Sequence, residues 1–244
     1  MNRRRLDEEV AARGLLPSRA RARDAVLRGT ISVNGQVALK PAMQVSAQDE
    51  ISIEDLAQHY VSRAALKLIH GLDHFKIPVA GRNCLDIGAS AGGFTQVLLE
   101  RGALHVTAID VGHGQLAASL AQDSRVTAIE GLNVRDITQA QLPPDLALVV
   151  CDVSFISLKL ALPRVLALAP PGTDLIALIK PQFEAGKDNV GKGGLVTDPA
   201  IHGAVCDGIR GFLEEAGCKV IGLTPSPLAG GDGNREFLVA ARKS

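Results

Sequence analysis

The stretch CLDIGASAGGFTQVLLERG, residues 84–102, decides the fold. An apolar strand ends in Asp86, small residues from Gly88 to Gly93 turn the chain, and a helical pattern follows. Such a unit belongs at the carboxyl edge of a parallel sheet, where α/β folds bring backbone close to a ligand. The spacing is D-x-G-x-S-x-G-G, which is neither the dinucleotide G-x-G-x-x-G nor a phosphate loop, since no Gly-Lys-Ser/Thr follows. A carboxylate at the strand tip repels a pyrophosphate. It suits a ligand with a cationic amino-acid end, such as S-adenosylmethionine. The competing reading is a tight packing turn in some other Rossmann-like protein.

Downstream, strand-like and helix-like segments alternate. Strands are expected near 83–88, 105–110, 126–129, 146–152 and 173–180, then a long helix over 198–217 and two closing strands at 218–224 and 235–242. Alternation of this kind predicts a mainly parallel sheet covered on both faces. The closing pair, joined through a Pro/Gly-rich turn, predicts an antiparallel hairpin at the sheet edge. The expected class is therefore α/β and Rossmann-like, with seven strands.

The strand tips carry the candidate chemistry. Asp110 ends VTAID, placed to accept hydrogen bonds from ribose hydroxyls. Asn133 and Asp136 follow the third strand and face either an adenine or solvent. Asp152 ends LVVCD at the same edge. Asp152-Val153-Ser154-Phe155 stands where amine-methylating enzymes carry Asn-Pro-Pro-aromatic, a departure that favours an oxygen acceptor. Lys180 ends LIALIK and is either a reacting group or a snorkelling lysine. Lys67 lies in YVSRAALKL, just before the strand pattern begins, and Glu236 in GNREFLVA enters the last strand. Taken singly, both read as surface residues.

Upstream the composition changes. RLDEEVAARG (5–14) puts Leu6, Val10 and Ala11 on one helical face with Gly14 as the stop, and Ser18 caps a second helix over about 19–28. ISVNGQV places Asn34-Gly35, the strongest short hairpin signal, between two β-prone runs, and residues 40–55 add further strand. The expected organisation is a small α+β module over 1–56, a linker over 57–62 and the large domain over 63–244. Residues 1–40 hold nine basic and four acidic side chains, a net +5 against −5 for the remainder of a neutral chain. A basic head on an acidic body predicts that a polyanion is gripped at one end.

A chain of 244 residues, 46% apolar, can bury a core without staples. The four cysteines show no CxxC spacing and the six histidines are scattered, so neither disulfides nor a metal site are expected. No apolar stretch is long enough to span a membrane, and no signal-peptide core follows the first arginines. The cytoplasm is the expected compartment.

Together, SRAALKL (62–68), DIGASAGGFTQVLL (86–99), CDVSFISL (151–158), LIKPQFEAGKDNVGKGGLVTD (178–198) and GNREF (233–237) resemble the TlyA family. Its members are ribosomal RNA 2′-O-methyltransferases, sometimes labelled hemolysins, with an FtsJ-like catalytic domain. The head, with Gly-Leu-x-x-Ser-Arg at 14–19 and Val-Asn-Gly at 33–35, resembles the ribosomal-protein-S4-type RNA-binding module. The resemblance implies a class I S-adenosylmethionine-dependent domain with a Lys67, Asp152, Lys180 and Glu236 tetrad. It puts Asp86, Gly88, Ser90, Gly92, Gly93 and Phe94 around the cofactor, Asp110 on its ribose and Asn133 near its adenine, where other members often carry an acid. It also implies ribosomal RNA or ribosomal subunits as substrate, with a cytidine as target. Arg3, Arg4, Arg5, Arg19, Arg21, Arg23, Arg28 and Lys40 are then the expected RNA contacts.

The implied chemistry asks much of a lysine. At a pKa of about 10.4 only a few molecules in ten thousand are neutral at pH 7. Burial and the Lys67 cation would lower that value, while Asp152 and Glu236 would raise it. Lys180 therefore either takes the proton of a ribose hydroxyl or stays charged beside a developing alkoxide. Few aromatics, 3% and no Trp, predict recognition of RNA shape over base stacking. GKDNVGKGG (186–194) reads equally as a lid over RNA or a solvated loop. Three rivals remain: a dehydrogenase, which lacks its glycine fingerprint; a non-catalytic RNA-binding protein, against which the complete tetrad stands; and a membrane-active hemolysin, which lacks a spanning segment.

Overall fold

The computed structural model describes residues 3–244, and the chain divides into two compact units, Met1–His59 and Tyr60–Ser244. In the first, a short strand β1 (Arg4–Arg5) runs into α1 (Leu6–Ala12). Next comes α2 (Arg19–Leu27), capped by Ser18, whose side chain accepts from the Arg21 N–H. β2 (Ile31–Val33) and β3 (Gln36–Val37) form the expected two-residue hairpin, with Asn34 at φ 51° and Gly35 at φ 77°. β4 (Gln44–Val45) pairs with β1, and β5 (Ile51–Ile53) pairs with β2. The β1–β4 pairing was not expected from the sequence. Leu6, Val10, Ala22, Ala25, Val26 and Ile31 are fully buried and form the core of this unit.

The second unit opens with a helix that the strand pattern does not announce, α3 (Ala65–Phe75). It lies ahead of the strand alternation that begins at Asn83. Ala65, Leu68 and Leu72 recur on one helical face and bury it in the same core as Leu178, Leu238 and Ala240. The next elements are β6 (Asn83–Ile87), α4 (Gly93–Glu100), β7 (His105–Asp110), α5 (Ala118–Ala121) and β8 (Val126–Glu130). Then come β9 (Leu146–Cys151), α6 (Leu158–Ala161), α7 (Pro163–Leu168), β10 (Asp174–Ile179) and α8 (Pro181–Glu184). The long helix α9 (Pro199–Glu215) leads to the closing strands β11 (Cys218–Pro225) and β12 (Phe237–Lys243).

Seven strands form one sheet in the order β11-β12-β10-β9-β6-β7-β8. β8, β7, β6, β9 and β10 run parallel, and β12 lies antiparallel between β10 and β11. One hydrophobic cluster covers each face of the sheet. The chain winds from β6 to one side and returns to β9 on the other. That switch point opens a crevice beyond the carboxyl ends of β6 and β9, where such sheets hold ligands.

Candidate active site

At the crevice, Ile87 of β6 pairs with Cys151 of β9. Immediately beyond, Gly88 takes φ +80°, and a Cβ there would sit 2.6 Å from the Asp152 carbonyl oxygen. Only glycine allows the loop and the β9 tip to meet so closely, and that contact holds Asp152 beside the loop. Ser90 also has a left-handed backbone, and its N–H donates to Asp110 Oδ2 at 2.8 Å. Gly112 N–H donates to Asp110 Oδ1 at 2.7 Å. Gly92 caps α4, Gly93 begins it, and the Phe94 ring is buried in the core.

A cavity of about 880 Å³ lies over these tips, walled by Gly88, Ser90, Asp110, Asn133, Asp152 and Phe155 among others. Asn133 uses its side-chain oxygen to accept from the Arg135 N–H. A smaller cavity of about 170 Å³ is lined by Ser62, Gly93, Phe94 and Lys180. The two share Gly88, Ser90, Asp152 and Ser154. Asp86 is wholly buried: Thr95 Oγ1 donates to its Oδ2 at 2.6 Å, while its Oδ1 has no partner among the described residues. Burial pushes the Asp86 carboxyl up to about 7, with the Asp152 charge adding to the push and Thr95 opposing it.

Two lysine–carboxylate pairs complete the site. Lys67 Nζ lies 2.5 Å from Glu236 Oε2, with side chains 7% and 3% exposed. Lys180 Nζ lies 2.7 Å from Asp152 Oδ1, with side chains 11% and 14% exposed. The second pair is close but not aligned as a hydrogen bond; Lys180 Nζ donates to Ser154 Oγ at 2.8 Å. Burial pushes the Glu236 carboxyl up, and the charges of Lys67 and Lys180 pull against it. The four groups thus form one electrostatic unit. The reading of Lys67 and Glu236 as surface residues, taken singly, is corrected: each is buried because the other offsets its desolvation.

Sequence reasoning missed three contributors. Phe155 is 91% exposed, in a left-handed conformation (φ 65°), with its ring 5.3 Å from that of Phe183. Glu184 accepts from Ser157 Oγ at 2.5 Å and Leu158 N–H at 2.7 Å, anchoring the segment that carries Phe155. Ser154 is the third. Only the phenylalanine left a trace in the sequence, as an aromatic three residues past the acidic strand tip. The 186–194 segment is exposed but anchored at its end: Asn234, 1% exposed, donates to Gly194 O and accepts from Val196 N–H just beyond, both at 2.9 Å.

In the first unit, Arg5 and Arg19 both pair with the buried Asp7. Arg28 is chelated by Asp55 at 2.7 and 2.5 Å and also bonds Asp24, so its guanidinium serves the fold of the unit. Arg21 donates to Ala57 O. Arg3, Arg4, Arg23 and Lys40 are exposed. Arg5, Arg19 and Arg23 line one shallow cavity of about 470 Å³. Among the described residues no cluster of metal-binding side chains occurs, and no helix is long and apolar enough to cross a membrane. All four cysteines are free, and burial pushes the Cys84 thiol up to about 12.

A doubly wound sheet with an inserted antiparallel strand, and an acid-tipped glycine loop at its switch point, define an S-adenosylmethionine-dependent methyltransferase fold. The same fold recurs in the S-adenosylmethionine-dependent methyltransferase of Mesorhizobium loti, at 14% identity and a TM-score of 0.54 over 75% of this chain and 100% of that one. The FtsJ-like methyltransferase family matches residues 60–243, and the S4 domain matches residues 4–51. The chain belongs to the FtsJ-like methyltransferase family, among its TlyA members. The 16S/23S rRNA (cytidine-2′-O)-methyltransferase TlyA of Mycobacterium tuberculosis is 44% identical over 98% of this chain and 90% of its own length. A hemolysin-named protein of known structure from Streptococcus thermophilus is 38% identical, with a TM-score of 0.78 over 100% of this chain and 90% of its own.

Proposed function

We propose that this protein transfers a methyl group from S-adenosylmethionine to a ribose 2′-hydroxyl of a ribosomal RNA cytidine, residues 1–56 binding RNA and residues 63–244 carrying the chemistry. The observation that carries the reading is a Lys180–Asp152 pair lining a glycine-walled cavity, with the buried Lys67–Glu236 pair in electrostatic reach of it, in a chain closely similar to a TlyA named for that reaction.

The residues present fit the cofactor. The orphaned Asp86 Oδ1 lacks a donor, and the ammonium of an amino acid is one. Asp86, Gly88, Ser90, Gly92, Gly93 and Phe94 would hold the amino-acid end. Asp110, whose oxygens keep lone pairs beyond their two backbone bonds, would hold the ribose, with Asn133 near the adenine. When bound, S-adenosylmethionine supplies an electrophilic methyl group on a sulfonium.

The chain's own residues do the rest. A ribose 2′-hydroxyl is a very weak acid, so its oxygen needs alignment and somewhere for its proton to go. Lys180 is the group for both. As an amine it takes the proton, and Asp152 then stabilises the ammonium formed; as an ammonium it steadies the charge building on the oxygen. Being neutral at pH 7 costs an ordinary lysine about 4–5 kcal/mol, which leaves both routes open. Lys67, locked onto Glu236, would position the acceptor nucleotide. The exposed Arg3, Arg4, Arg23 and Lys40 would contact phosphates, giving an affinity that falls as salt rises.

The test is to offer ribosomal subunits with radiolabelled S-adenosylmethionine and hydrolyse the RNA in alkali. A 2′-O-methyl group blocks cleavage at its own link, so label in alkali-resistant dinucleotides is the expected result. Label released in mononucleotides would place the methyl on a base and defeat the reading.

A further inference from the structure

We propose that Ser154 is a positioning residue for the methyl transfer: its hydroxyl, beside the Asp152 carboxylate, fixes the direction in which Lys180 Nζ meets the acceptor oxygen. The proposal rests on the methyltransferase reading above. Ser154 is not one of the four charged groups, yet its Oγ is the atom to which Lys180 Nζ donates, at 2.8 Å. It also lines both cavities, at their junction with Asp152.

The geometry of an amine nitrogen explains why this matters. Lys180 Nζ has four tetrahedral positions, one taken by its own carbon. Ser154 Oγ occupies one more as an aligned acceptor at 2.8 Å, while Asp152 Oδ1 lies 2.7 Å away out of hydrogen-bond line and supplies charge without direction. The acceptor oxygen must meet a position that remains, through a lone pair when the nitrogen is neutral and through a proton when it is charged. Without Ser154 no aligned bond fixes how those positions are turned, and the amine is free to rotate beside Asp152.

The serine is itself held from both sides. Asp152 N–H donates to Ile87 O at 2.9 Å on one side. On the other, Glu184 grips Ser157 and Leu158. Between the two anchors Phe155 is forced into the left-handed region at φ 65°. An unfavourable backbone persists only where its surroundings over-determine it, and such places cluster at working sites. Here the strained residue directly follows the serine that meets Lys180.

The test is steady-state methylation of ribosomal subunits by wild type, Ser154→Ala and Ser154→Thr from pH 6 to pH 10. The charged and titratable groups around Lys180 are Asp152 and Cys151 of the β9 end and Glu236 ahead of β12, with Lys67 of α3 behind Glu236. All stay in place in both variants. Ser154→Ala is expected to lower kcat on the order of tenfold to a hundredfold, because reacting groups lose alignment, with both KM values within about twofold. Because the hydroxyl contacts the nitrogen that faces the acceptor oxygen, the kcat profile over that range is expected to change shape as well. Ser154→Thr, which keeps the hydroxyl, should restore most of kcat and the profile. An unchanged kcat and profile in Ser154→Ala would overturn the proposal. So would a parallel loss of S-adenosylmethionine affinity by calorimetry, which makes Ser154 a wall of the cofactor cavity. A wild type that labels no 2′-oxygen overturns the methyltransferase reading, and this proposal with it, before any variant is compared.

Discussion

Asp174 and Asp86 are both fully buried aspartates of the same sheet, and they have opposite surroundings. Asp174 starts β10 at the amino edge, where Arg82 and Arg242 each lie 2.7 Å from one of its oxygens. Asp86 lies near the carboxyl end of β6, where one oxygen takes a threonine hydroxyl and the other has no hydrogen-bond partner among the described residues. Burying a carboxylate is costly unless it is paired and hydrogen-bonded, so Asp174 is explained by folding alone and Asp86 is not. The amino edge is finished by the chain itself. The carboxyl edge keeps an acid without its full complement of donors, beside two lysine–carboxylate pairs.

The largest expected contrast between the edges is in catalysis. Lys180→Ala should reduce 2′-O-methylation on the order of a thousandfold or more, the scale of losing a proton-handling group, while S-adenosylmethionine binding stays within a few-fold by calorimetry. Arg242→Ala at the other edge should leave turnover per folded molecule unchanged. Equal turnover by Lys180→Ala and wild type would erase the distinction.

Next comes the titration of Asp86. Its carboxyl is pushed up to about 7, and a ligand ammonium favours the ionised form. Cofactor affinity should therefore weaken by about tenfold per pH unit below 7 in wild type, and Asp86→Asn should bind weakly with no such slope. Stability runs the other way. Between the unfolded value of about 3.9 and the folded value near 7, the folded chain keeps a proton that the unfolded chain has lost. Raising pH through that window removes stability, and Asp86→Asn should then melt above wild type at pH 8 without cofactor. A flat wild-type binding profile from pH 5 to pH 8 would show that Asp86 does not meet the ammonium.

The same contrast governs what could be read from the sequence. The apolar strands, the Asn34-Gly35 hairpin, the Ser18 cap and the acid-tipped glycine loop are local patterns, and each appears where its residues place it. Lys180 and Asp152 stand at strand tips, so their edge follows from strand direction. Lys67 and Glu236 are 169 residues apart and meet only because α3 packs near β12, which no local pattern encodes. Helix α3 is not legible in the same way because it precedes the strand alternation. Phe155 and Ser154 escaped for a different reason: a left-handed phenylalanine is imposed by anchors at Ile87 and Glu184, and its sequence neighbours give no sign of it.

At the finished edge the expected effect is smaller and concerns stability alone. Asp174→Asn removes the charge that both arginines hold, and should cost about 2 kcal/mol, the worth of charge-assisted hydrogen bonds. Arg82 and Arg242 keep partial exposure, 26% and 53% of their side chains, so water takes over part of the lost contact. Chemical denaturation at pH 7 reads the change. Cofactor affinity should not move with it, whereas a loss of affinity equal to that of Asp86→Asn would mean that the two edges are not independent.

The first unit repeats the contrast on a smaller scale, between two arginines of the same helical region. Arg28 is already chelated by Asp55 and Asp24, while Arg23 is exposed beside Arg5 and Arg19. Arg28→Ala should therefore destabilise the unit by about 1–2 kcal/mol, since it leaves the nearly buried Asp55 without its partner. Arg23→Ala should leave melting unchanged, lower RNA affinity evenly across sequences, and reduce the slope of log affinity against log salt by about 1. Melting curves and filter binding at several salt concentrations separate the two. If Arg23→Ala alters neither affinity nor slope, phosphate contact belongs to Arg3, Arg4 and Lys40, and exposure alone does not mark which arginines of this unit meet RNA.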